Sequence, residues 1–363
     1  MSTAQNQTYQ MIEAFVKNMK APGFLSGLFQ IGPDSFHNQK RVHVDTSLEA
    51  ETVAVPVADI SSSYNNNTSL TKQEVEVIPP VFKEAETISV GDLYDRQVGM
   101  NPYEDNEPQV NGVRLALKAA DRLMNKLGRA LELQAAQILT RSTGIASIDS
   151  TGATVFALNY NLAGALFPTA STPWSTSGTA DPITDLGNLC AVIRGGGNDP
   201  MMVVMDGDSF EAAMNITSFK ERFTAANVNV GALNDMGNPG TTGGNFRGRL
   251  QVGHWTLDVY TYGARYIPAN SSTSTLYIPR KKCVVLAPGG RKATFGGVPR
   301  FPGEQQALQY LPSRIMAGES RMDVNFNAWF STDRESLTIG CAARPLLIPV
   351  DKFSFGCLDT DLA

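Results

Sequence analysis

The segment from Asn111 to Arg141 limits what this chain can fold into more than any other stretch. Along it Val113, Leu117, Ala120, Met124, Leu127, Leu131, Ala135 and Ile138 recur at intervals of three and four residues, the spacing that lines one face of an α-helix. One unbroken helix over 111–141 would reach about 46 Å at roughly 1.5 Å per residue, well past the usual globular length. Such a helix acts as a spine, and Gly144 follows it as a natural stop. Gly128 inside it costs about 1 kcal/mol relative to alanine. A bend or a close backbone approach is one reading of that glycine; tolerated chance is the other.

What flanks the spine must pack against it, and a chain of 363 residues exceeds one ordinary core, so two or more lobes are expected. Near the start, Met11, Ile12, Phe15 and Met19 lie at helical spacing before Pro22 and Gly23 interrupt the pattern. Phe24, Leu25, Leu28 and Phe29 then form an apolar patch too small to be a core alone, which must dock on another lobe or another subunit. From Arg41 to Phe82 two β-rich runs flank the polar SSSYNNNT, as in an extended hairpin. The alternation Glu74, Val75, Glu76, Val77 puts carboxylates on one face and valines on the other. Between Asp45 and Asp95 stand ten acidic residues, Glu49 and Glu51 among them, against Lys72 and Lys83.

After the spine, Ala146 to Ala180 is rich in Ser, Thr, Gly, Ala and Pro with only Asp149 charged, and it reads as strands and loops at a lobe boundary. A compact α/β lobe follows. DPITDLGNLCAVIRGGG offers a helix, MMVVMD a buried strand, GDSFEAAM and SFKERF further helical pieces, and the runs around 250–267 and 275–288 strands of one sheet. The late strands from Met322 onward are expected to return beside the spine.

Little in the chain points to catalysis. Its histidines are His37, His43 and His254, none in a zinc or hydrolase motif. Asp206 and Asp208 follow a strand and read as helix caps before they read as a metal pair. Neither APGGRKATFGG nor GNPGTTGG has the spacing of a phosphate or dinucleotide loop. Cys190, Cys283, Cys341 and Cys357 are scattered and read as reduced, packed thiols. No cofactor, metal or membrane span is expected. A net charge of −5 argues against a protein built to grip nucleic acid. The charged fraction, 18%, is below the roughly 25% usual for soluble domains, as expected where surface is buried between subunits.

One charge signal stands out. Arg280, Lys281, Lys282, Arg291, Lys292 and Arg300 occur without an acidic residue between them. A solvated face is the plain reading. The sharper one sets this basic segment against the acidic hairpin of a neighbouring copy, since complementary patches register assembly. Candidate interface residues are therefore Phe24, Leu28 and Phe29, then Glu49, Glu51, Glu74 and Glu76, then Arg280, Lys281, Lys282, Arg291 and Lys292.

The order of arm, acidic hairpin, spine helix, α/β lobe and returning strands resembles the α+β capsid fold of tailed phages, called HK97-like. Five stretches carry a closer likeness to the lambda-type major capsid protein E family: PGFLSGLF; PPVFKEAETISVGDLYDRQVG; MMVVMDGDSFEAAMNITSFKERF; LYIPRKKCVVLAPGGRKATFGG; and STDRESLTIGCAARPLLIPVDKF. The resemblance implies a non-enzymatic shell subunit that forms hexamers and pentamers around double-stranded DNA, assembled in the bacterial cytoplasm with scaffold, portal and decoration proteins as partners. It implies an N-terminal arm over 1–34, an extended hairpin (E-loop) over 35–85, a peripheral domain over 86–159 and 313–363, and an axial domain mainly over 160–312. An encapsulin-like compartment shell is the alternative on the same fold, and a soluble enzyme with an unrecognised site the alternative outside it.

Overall fold

A computed structural model describes residues 23–37, 41–47, 72–94, 108–148, 151–176, 178–225, 244–269, 271–298, 324–331 and 335–360. The helical pattern around Met11 to Met19 lies outside them. Four strands come first: β1 (Phe36–His37), β2 (Val42–Ser47), β3 (Lys72–Val77) and β4 (Phe82–Ser89). A short α1 (Val90–Tyr94) precedes the spine helix α2 (Pro108–Thr140). The hairpin β5 (Ile145–Ile148) and β6 (Thr154–Leu158) leads to α3 (Pro182–Gly195), β7 (Met202–Met205), α4 (Gly207–Met214), α5 (Thr217–Arg222) and β8 (Phe223–Ala225). Then follow β9 (Gly244–Val252), β10 (Trp255–Tyr262), β11 (Arg265–Tyr266), β12 (Thr275–Leu276), β13 (Lys282–Leu286) and β14 (Arg291–Gly296). The last are β15 (Val324–Phe330), β16 (Ser336–Ala343), β17 (Pro345–Pro349) and β18 (Phe355–Asp359).

The spine runs for 33 residues, about 50 Å, and starts three residues before the expected Asn111. Proline suits that opening position because the amide it lacks would have no helical partner. The apolar stripe is buried as its spacing requires, with Leu123, Leu127, Leu131, Ala135 and Ile138 in the core. A Cβ at Gly128 would meet nothing, so no close approach explains that glycine. Gly144 is not the helix cap. The helix ends at Thr140, and Gly144, at φ 81°, forms the left-handed turn into β5, where a Cβ would collide with the Leu158 carbonyl.

The main sheet has the order β18-β13-β7-β10-β9-β8, with β7 and β10 parallel and the other pairs antiparallel. It is covered on both faces, so successive residues of one strand enter different cores. Val204, Tyr262, Val284 and Phe355 join the core of the spine helix. Val203, Leu257, Val259 and Val285 join a second core with Leu186, Leu189 and Ile193 of α3 and Phe219 of α5. The Ser/Thr-rich stretch after the spine is tied to α3 by the buried Asp185 carboxylate, which accepts from the Ser171 hydroxyl at 3.0 Å and the Trp174 indole at 3.1 Å.

A second sheet, β15-β16-β4, lies against the spine. Its β4 turns Glu84 and Glu86 toward the helix, where Lys126 pairs with Glu84 at 2.6 Å and Arg122 with Glu86. A third sheet has the order β1-β14-β17. Of the late strands, β16 and β17 return beside the spine, and β15 pairs with β16. Two pairings link segments far apart along the chain: β18 completes the main sheet beside β13, and β14 pairs with β17. Hydrogen-bond partners decide sheet membership, and neither pairing follows from distance along the chain.

The N-terminal turn is bolted to the spine by one buried carboxylate. Glu132, 3% exposed, accepts the backbone amides of Leu25 and Ser26, each at 2.8 Å, and the hydroxyl of Tyr262. A Cβ at Gly23 would collide with this carboxyl group, so the chain enters the turn through glycine. Burial is the first cause, and the Glu132 carboxylate the second, that pushes the Tyr262 hydroxyl far above its usual range and keeps it protonated as a donor.

Removing the carboxylate leaves two buried amides and a hydroxyl without partners, each costing about 1–3 kcal/mol. Glu132→Ala should therefore lower the stability of the unassembled chain by about 3 kcal/mol or more in urea titrations. An unchanged midpoint would show that Leu25 and Phe29 hold the turn by apolar contact alone. All four thiols are buried, and burial pushes Cys190 and Cys357 up to about 12 and Cys341 to about 11. Thiolates are the reactive form, so a thiol reagent at neutral pH should label none of the four until denaturant is added. Rapid labelling of any one in the native chain would contradict this packing.

Candidate subunit interface

The acidic hairpin begins as a two-stranded ribbon, β2 and β3, in the register Val42↔Val77, Val44↔Val75, Ser47↔Lys72. Val42 and Val77 are buried at its root, while Phe36, Ile78 and Val81 nearby are 41%, 44% and 41% exposed. Arg41 and Glu76 form an exposed ion pair of 2.7 Å at the same root. Glu74 sits on β3 opposite Asp45, but its side chain, like Glu49 and Glu51, lies outside the described residues. Two ribbon strands are marginal without further cover, and among the described residues no third strand joins them.

The apolar patch of the arm has gone to another lobe of the same chain. Phe24 and Phe29 are 3% and 2% exposed, and Phe24 lies on Tyr260 and Tyr262 with ring centroids 5.4 and 5.7 Å away. Leu28 packs against the same core. As surface residues offered to a neighbour, Phe24 and Phe29 are therefore corrected: the Glu132 bolt draws the turn into the junction of spine and main sheet.

The basic segment also proves to be several places. Arg280 pairs with Asp208 at 3.2 Å on an exposed surface. Lys281 holds a left-handed φ of 70°, and its carbonyl accepts the Thr360 amide at 2.7 Å. Lys282 pairs across the sheet with Asp359 at 2.6 Å. Arg291 is the correction here: it is 5% exposed and donates to the carbonyls of Ser354 and Ala287, both at 2.8 Å, and of Leu28 at 3.4 Å. Burial lowers its guanidinium to about 10, still cationic at neutral pH, but no neighbour can reach it. Lys292 follows on β14, opposite Ile348. The scatter arises because β13 and β14 belong to different sheets. The glycines between them make the turn, with Gly289 and Gly290 at φ 72° and 69°, so APGGRK is a sheet-switching corner.

Asp206 caps α4 as expected, accepting the amides of Asp208 and Ser209 at 3.2 and 3.3 Å, and its carboxyl is raised by burial. Among the described residues no group of three His, Cys, Asp or Glu is placed to hold a metal ion, and no helix is long and apolar enough to cross a membrane. One cluster escaped the sequence reading. Arg141 at the end of the spine, Arg265 on β11 and Arg280 after β12 converge on a cavity of about 400 Å³. No sequence signal announces it, because the three arginines come from three separate segments.

The family model described as phage major capsid protein E matches residues 7–338. No curated protein matches the chain. Among solved structures, it is similar to a prophage capsid protein of E. coli CFT073, at 15% identity over 98% of this chain and 99% of that one, with a TM-score of 0.63. A phage-related protein of Bordetella bronchiseptica RB50 follows at 10% identity, 97% and 96% coverage and a TM-score of 0.52. The capsid of Ralstonia phage GP4 shows 11% identity, 90% and 84% coverage and a TM-score of 0.50. These likenesses establish the α+β capsid fold, and the match along nearly the whole sequence establishes the family: the chain belongs to the phage major capsid protein E family.

Proposed function

We propose that copies of this chain form hexamers and pentamers that close into an icosahedral shell around double-stranded DNA, and that the chain acts through its interfaces and not through catalysis. The observation that carries this reading is the family match over 7–338 together with a fold shared end to end with a prophage capsid protein. In this scheme the hairpin of 35–85 is the E-loop lying over a neighbour. The spine with β4 and β15–β17 forms a peripheral unit, and the pairing of β14 with β17 supports counting β14 with it. The main sheet with α3–α5 forms the axial unit, with β18 added. Assembly takes place in the bacterial cytoplasm under a scaffold protein, with a portal and decoration proteins as further partners, and DNA is met without sequence preference.

The physics of the ribbon supports this. A two-stranded ribbon with exposed apolar residues at its root gains stability by lying on another surface, and identical contacts repeated around a closed shell accumulate avidity. Glu49, Glu51, Glu74 and Glu76 supply its negative charge in this scheme, and Arg280, Lys281 and Lys292 remain candidates on the receiving side.

Expressed with its scaffold and fractionated by size exclusion, the chain should elute as capsomers or larger particles that negative-stain electron microscopy resolves as closed polyhedra or tubes. Nucleic acid inside them fits a virion. A packaged protein cargo would assign the shell to a cellular compartment, and a monomer or small dimer under every condition would reject the shell reading.

A further inference from the structure

Arg141, Arg265 and Arg280, each exposed, line one cleft at the end of the spine. Their cavity, about 400 Å³, lies between the last turns of α2 and the β11–β12 ribbon, with the buried Gln137 and Tyr277 in its wall and no Asp or Glu in its lining. Among the described residues neither Arg141 nor Arg265 has a carboxylate partner. Arg280 has only its exposed pair with Asp208, the kind of contact that salt and competing anions displace. Guanidinium groups that line one cleft with a single exposed counter-charge repel one another, and their planar forks match carboxylates two bonds at a time.

The chain itself contains the complementary charge. From Val42 to Val77 it has Asp45, Glu49, Glu51, Asp59, Glu74 and Glu76 against Lys72 as the one basic Lys or Arg. The basic segment expected to receive this ribbon cannot do so as a unit, since Arg291 is buried and Lys282 is held by Asp359. We infer that the cleft of Arg141, Arg265 and Arg280 is a carboxylate-binding site for the acidic ribbon of a second copy. This rests on the reading of the chain as a self-assembling shell subunit.

The test uses the full chain with Arg265→Lys, which keeps the charge and supplies an amine. Equal amounts of unlabelled and 15N-labelled protein are co-assembled, and the particles are treated with a zero-length carbodiimide that joins amines to touching carboxylates. Mass spectrometry should find peptides of mixed isotope content linking position 265 to an acid within 42–77. Links confined to one isotope, links to acids elsewhere, or particles without a link at position 265 would overturn the assignment. A link that appears only after nuclease treatment would give the cleft to phosphate and overturn it as well. If the wild-type chain forms no particles, the shell reading falls and the site with it. Independently, Arg141→Glu with Arg265→Glu should cut particle yield at least tenfold at low salt while leaving the melting temperature of the unassembled chain unchanged. Equal yield would reject the site.

Discussion

Glu132 is the point on which the rest of this structure hangs. A carboxylate placed one side of a long helix and then buried must be fully hydrogen-bonded, because an ion left unpaired in the interior costs several kcal/mol. Its partners come from the two ends of the architecture: the amides of Leu25 and Ser26 from the N-terminal turn, and the Tyr262 hydroxyl from the main sheet. Meeting all three at once sets the distance between spine, turn and sheet. The consequences propagate. With the turn in place, the Leu28 carbonyl reaches the buried Arg291, whose other donors hold Ala287 and Ser354, so the corner between β13 and β14 and the turn before β18 are registered by the same chain of contacts.

On that frame the main sheet divides two cores with one set of strands. Val203 and Val204, adjacent in sequence, lie in different clusters, as do Cys283 and Val284. One face is closed by the spine and the other by α3, α4 and α5, which leaves the lobe saturated by its own contacts. The ribbon of β2 and β3 is the opposite case, with two strands and exposed apolar residues at its root.

Charge follows a similar division. Lys126, Arg122 and Lys282 neutralise carboxylates within the chain, and Arg291 satisfies backbone carbonyls. These contacts lie within one chain. The cations lining the cleft at the end of the spine and the acids between 42 and 77 are far apart in sequence and opposite in sign.

The sequence by itself determined the elements. The spine was legible because eight apolar residues at three- and four-residue intervals admit only a helix, and the buried strands β7, β10 and β13 were legible from short apolar runs between turn residues. The order of these elements, with five stretches of local likeness, was enough to point to the family. Only the tertiary structure decided which strands share a sheet, with β18 beside β13 and β14 beside β17, and that Gly144 forms the turn into β5 and is not a helix cap. It alone decided that Phe24, Phe29 and Arg291 are internal and that Arg141, Arg265 and Arg280 line one cleft. The reason is physical: periodicity reports which face of an element is apolar, but what that face touches depends on long-range pairings, and a buried carboxylate such as Glu132 chooses partners more than a hundred residues away.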